Sequence, residues 1–163
     1  MSPKKHHSQQ KLFVIRTYSS LSQIATVIST IVEKDTIQLQ LSVLGKLTIQ
    51  KTMTKKELKK IIADVKKQLS TILGKEFKFG YFHNPEVGSL FIAGHLMPTF
   101  LTKVDESELA SLPAGLRGIF KGLGIHIEEI NTYLTELKNE NYCLIIRGEK
   151  SVLAVIEPLL NSY

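Results

Sequence analysis

A catalytic cysteine needs a depressed pKa and a base within reach. The chain's one cysteine, Cys143, lies inside the apolar run Tyr142-Cys143-Leu144-Ile145-Ile146, with no basic neighbour beside it. It reads as a packed core thiol, the usual state of a free cysteine. A single cysteine also excludes an intrachain disulfide and a zinc site built on several thiolates, and it points to a reducing, cytoplasmic setting. Among His6, His7, His83, His95 and His126 there is no His-x-x-x-His pair, and none stands at ligand spacing from a Glu or Cys. No metal or cofactor is expected. Gly115, Gly118, Gly122 and Gly124 are not followed by the Gly-Lys-Ser/Thr of a phosphate loop. They also lack the strand that must precede a dinucleotide fingerprint. If this segment is helical, Gly115, Gly118 and Gly122 share a face that another backbone can approach closely. Glu128-Glu129 falls in the first turn of a helix, where negative charge suits the dipole without any catalytic role. No enzyme is expected.

What remains is charge. The net charge is +6, and it is unevenly spread. Residues 46–78 carry ten Lys against three acids, whereas residues 79–163 carry six basic and ten acidic groups. Lys55, Lys56, Lys59, Lys60, Lys66 and Lys67 fall on one arc of a predicted helix, beside its apolar stripe. Clustered lysines can displace counterions from nucleic-acid phosphates. Against that stand the absence of Arg and of any interleaved aromatic on which a base could stack. A solvated face is the alternative.

These residues are positioned by an α+β pattern. The run 12–15 reads as a buried strand. Ser20 and Gln23 make a capping-box pattern before a helix carrying Leu21, Ile24, Ala25, Ile28, Ile31 and Val32. Ile37, Leu39, Leu41 and Val43 then alternate with polar residues, as in a strand with one buried face. Thr54 and Glu57 start the lysine helix, whose stripe is Leu58, Ile61, Ile62, Val65, Leu69 and Ile72, and Gly74 ends it. Strands over 77–82 and 89–93 flank a turn at His83-Asn84-Pro85. The acidic segment 105–112 is expected to be helical. A helix through Ile127, Ile130, Leu134 and Leu137, a strand over 142–146 and a last helix over 150–160 close the chain. This order predicts a ferredoxin-like, split β-α-β sandwich. Its mixed sheet would have helices mainly on one face and an inserted helix and hairpin. Residues 1–11 are expected to be a flexible basic tail, and 12–163 a single domain. The longest apolar run, 90–101, is broken by His95 and Pro98 and is too short to span a bilayer.

The combined pattern resembles the small bacterial general stress protein domain family, which includes heat-induced stress proteins. The carriers are Phe13-Val14-Ile15 followed by Ser19-Ser20-Leu21-Ser22-Gln23-Ile24-Ala25, and the segment Val87-Gly88-Ser89-Leu90-Phe91-Ile92-Ala93-Gly94-His95-Leu96. The most specific is Leu123-Gly124-Ile125 with Glu128-Glu129, Tyr133 and the strand Cys143-Leu144-Ile145-Ile146. The likeness covers residues 12–44 and 87–147. Asp105-Glu106-Ser107-Glu108 stands where relatives often have a Gly/Ala-rich apolar stretch, and the lysine helix looks like an addition. The resemblance implies a stress-associated protein of unassigned biochemistry and supplies no catalytic residues.

Three functions are therefore expected, in order. The first is a non-catalytic, stress-associated interaction module that self-associates or binds a protein partner through apolar surface near the glycine segment. The second is a binder of nucleic acid or another anion through the six lysines. The third is a small-molecule site between the sheet and residues 83–100, with His83 and His95 as polar contacts.

Overall fold

A computed structural model describes residues 11–33 and 39–161. Most of the tail expected over residues 1–11, with His6 and His7, lies outside these residues, as does Ile37 of the expected second strand. Lys11 belongs to the first strand.

Strand β1 (Lys11–Tyr18) leads into helix α1 (Leu21–Glu33), and β2 (Gln40–Lys46) follows. Helix α2 (Lys55–Leu73) precedes the hairpin β3 (Phe79–Asn84) and β4 (Gly88–Gly94). A short helix α3 (Met97–Phe100), a small hairpin β5 (Lys103–Val104) and β6 (Ser107–Glu108), and a 3-10 turn (Leu109–Ser111) come next. Helices α4 (Gly115–Gly122) and α5 (Ile127–Lys138), strand β7 (Tyr142–Glu149) and helix α6 (Lys150–Leu160) complete the order.

The fold is α+β, with a five-stranded sheet in the order β1-β7-β2-β4-β3. Strand β7 sits between β1 and β2, so β1-α1-β2 is a split β-α-β unit of the ferredoxin-like kind. Every neighbouring pair in this sheet is antiparallel, which corrects the expected mixed sheet. The parallel strands β1 and β2 never touch, because β7 separates them. The inserted helix and hairpin are present as α2 and β3–β4.

Side chains alternate across the sheet with period two. Val43, Phe91, Ala93, Leu144 and Ile146 point to a core closed by α1, α2 and α6. Helices α1, α2 and α6 thus gather on this face, as the sequence pattern implies. The opposite face is closed as well: Leu44, Leu90, Ile92, Cys143 and Ile145 meet α3, α4 and α5.

Local chemistry sets the element ends. The capping box of α2 is complete: Glu57 N donates to Thr54 Oγ1 at 3.1 Å, and Thr54 N donates to Glu57 Oε1 at 3.1 Å. At α1 only half forms. Gln23 N donates to Ser20 Oγ at 3.2 Å, but Gln23 Oε1 accepts from Ser19 N rather than from Ser20 N. The expected acidic helix over 105–112 is instead the β5–β6 hairpin and the 3-10 turn. Asp105 and Glu106 take left-handed φ values of 49° and 73°, which stop a helix and reverse the chain.

Asn84 joins the β3–β4 turn to the opposite layer. Buried at the end of β3, it donates to Ala110 O at 2.8 Å and accepts from Glu86 N at 2.8 Å and Val87 N at 3.1 Å. Asn84→Ala would leave these buried groups unpaired. The expected cost is about 3 kcal/mol, read as a lower urea midpoint with an unchanged slope. A midpoint equal to that of the unsubstituted chain would contradict this role.

Candidate functional site

The lysine helix is half embedded. Within α2 only Leu69 and Ile72 are buried, both in its last turns, while Leu58, Ile61, Ile62 and Val65 are only partly covered. At 100° per residue, Lys55, Lys56, Lys59, Lys60, Lys66 and Lys67 span an arc of about 140°. All of them are exposed. None of the ion pairs among the described residues includes one of these lysines. The charge of the face is therefore not neutralised within the fold.

Aromatic side chains border this charge. Lys66 Nζ stands 5.1 Å from the centre of the Phe79 ring, and Phe79 stacks on Phe91 with centroids 6.0 Å apart. Two shallow grooves follow the crevice between α2 and the edge strand β3. One, of about 440 Å³, is lined by Lys66, Lys67, Lys75, Phe77 and Phe79 among others. The other, of about 490 Å³, is lined by Ile62, Lys66, Phe79, Tyr81, Lys103 and Glu108 among others. Lys66 and Phe79 line both grooves, which therefore adjoin at this pair. Glu108 is the acid on the rim of the second, and Lys103 sits 2.9 Å away. That hydrogen bond and charge hold the Glu108 carboxyl below its usual pKa. The linear pattern of α2 shows no aromatic among the lysines, because Phe77, Phe79 and Tyr81 arrive from the next element. Their period-two spacing was the available signal.

The two histidines expected to share a pocket do not. His83, on β3, is exposed with its Nδ1 3.3 Å from Ser89 Oγ, near the start of β4. His95 follows the far end of β4. An extended strand of that length, at about 3.3 Å per residue, keeps them about 20 Å apart. His95 alone borders a hollow of about 440 Å³ with Leu39, Leu41, Ile72, Phe77 and Lys78. No group of three or more His, Cys, Asp or Glu side chains is placed to hold a metal ion among the described residues.

The glycine segment divides. A Cβ on Gly115 would lie 1.9 Å from Leu109 O, so this glycine is needed for the 3-10 turn to pack against α4. Gly118 and Gly122 face open space. Beside them, a groove of about 590 Å³ between α4 and α5 is lined by Arg117, Gly118, Lys121, Ile125, His126 and Ile127 among others. Ile127 is 63% exposed. Arg117 is already engaged, donating to Glu86 through Nε at 3.1 Å and to Asn131 through Nη1 at 2.6 Å. Its hydrogen bond lowers the Glu86 pKa.

Cys143 is fully buried, and burial pushes its thiol pKa far up. It is expected to resist iodoacetamide in the folded protein and to label fully in denaturant, as read by intact mass. Rapid native labelling would show a reactive thiol and contradict the packed-core assignment.

No helix of the described residues is long and apolar enough to cross a membrane. Comparison with known proteins finds no matching family model, no matching curated protein and no matching solved structure.

Proposed function

We propose that this protein is a non-catalytic cytosolic domain that binds anionic polymers, nucleic acid foremost, through the lysine face of α2. One observation carries the reading: Lys55, Lys56, Lys59, Lys60, Lys66 and Lys67 lie exposed on one arc, outside the ion pairs of the described fold. Lysines outside ion pairs can neutralise the phosphates of a polyanion, which releases the counterions condensed on it. The resemblance to bacterial general stress proteins supports placing this binding in a stress response.

A second reading is self-association through the α4–α5 groove, favoured by Ile127 beside the open glycines. The occupant is a second copy of the chain. Lys121 lies on the groove, and Glu128 and Glu129 follow Ile127, so a twofold arrangement can set lysine against glutamate across the interface. The expected result is a dimer mass in solution that persists at high salt, with Ile127→Asp shifting the protein to monomer. A monomer at high micromolar concentration would dismiss this reading.

The lysine reading is tested by titrating labelled DNA and RNA at several salt concentrations, beside a variant with all six lysines changed to glutamine. If every lysine engages, the slope of log K against log salt on a single strand is about −4. The variant should show no measurable binding. Failure of the unsubstituted protein to bind at low salt would leave the lysines as a solvated face.

A further inference from the structure

We infer that the crevice between α2 and β3 is built for unpaired nucleic-acid strands, with β3 supplying stacking platforms beside the lysines. The inference rests on the lysine face binding nucleic acid and specifies which form it takes.

The geometry points to bases as well as phosphates. Tyr81, on edge strand β3, is 45% exposed and lines the same groove as Lys66 and Lys103. Phe79 stands two residues before it, and Phe77 two residues earlier again. Alternate residues of an extended chain share a face, and Phe77 and Phe79 both line the adjoining groove. Phe79 and Tyr81 thus line one groove and Phe77 and Phe79 the adjoining one, with Lys66, Lys67, Lys75 and Lys103 among the residues around them. A charged groove that tracks the backbone, combined with a row of rings, is how sequence-tolerant single-strand binders work. A duplex keeps its bases stacked on one another, so it can reach the lysines but not the rings.

Phe79 stacks on Phe91 at an interplanar angle of 12°, and Lys66 Nζ stands over its ring. The contact of Lys66 with that ring is of the weak, solvent-exposed kind. A phosphate can therefore draw the ammonium aside and open the ring to a base. The groove's carboxylate, Glu108, is matched by Lys103 and does not reverse the local sign.

The test compares three probes of equal phosphate number at one low salt concentration: oligo(dT), the same length of abasic strand, and a duplex. Binding is read by fluorescence polarisation. The oligo(dT) strand is expected to bind at least tenfold more tightly than the abasic strand or the duplex. Tyr81→Ala should weaken oligo(dT) binding about five- to a hundredfold, the range for losing one base–ring stack. Tyr81→Phe should retain it, and abasic binding should be unchanged by either substitution. Tyr81 is exposed, so both variants should fold, and circular dichroism confirms it. Equal binding of oligo(dT) and abasic strand would overturn this inference while leaving the lysine reading intact. So would an unchanged oligo(dT) affinity in Tyr81→Ala. If no probe binds, the lysine reading fails, and this inference fails with it.

Discussion

Strand β7 has to be buried on both faces, and the architecture follows from that. Its residues Cys143, Leu144, Ile145 and Ile146 carry no polar side chain and are all buried. An element of this kind cannot lie at a sheet edge or face water. It lies between β1 and β2 and pairs with both, Ile145 standing opposite Ile15 on one side and Ser42 on the other. Because successive side chains alternate, Cys143 and Ile145 demand one apolar layer and Leu144 and Ile146 another. Helices on a single face could satisfy only half of this strand. Helices α3 to α5 supply the second cover, and with them the Asn84 tie and the Gly115 contact.

The same arrangement leaves α2 incompletely held. In the core that it shares with α1 and α6, only Leu69 and Ile72 of α2 are buried, while Ile61 and Val65 pack against it partly covered. The first turns rely on the capping box and on a partly covered stripe. A helix so placed keeps its charged arc in solvent and one flank beside β3. Since β3 is the edge strand, no further strand covers that flank. Lysines and aromatic rings are neighbours here because of sheet order, not because of their spacing along the chain.

That distinction decides what could be read from residues alone. The long helices, the β-α-β order of the opening segment and the buried state of Cys143 follow from local periodicity and composition. The all-antiparallel sheet depends on β7 returning between β1 and β2, a pairing of residues far apart in the chain. Segment 105–112 misled because acidic composition suits a helix, while Asp105 and Glu106 adopt left-handed φ values without a glycine to announce them. Within the candidate site, the lysines were legible as a helical arc. Phe79 and Tyr81 were legible only as strand residues, since nothing local says that β3 lies against α2. His83 and His95 looked close because twelve positions is a short interval, yet a fully extended strand fills most of it.

The sheet also separates the two surfaces on which binding is proposed. Helix α2 belongs to the layer with α1 and α6, whereas α4 and α5 belong to the opposite layer. Lysine faces repel one another, so two copies gain nothing by meeting through α2. On the other layer, Ile127 has Lys121 and the glutamates 128 and 129 nearby, charges of both signs that can pair across a twofold axis. A dimer joined there would leave both lysine faces uncovered. Self-association and anion binding would then be complementary properties of one molecule, because each uses a different side of the sheet.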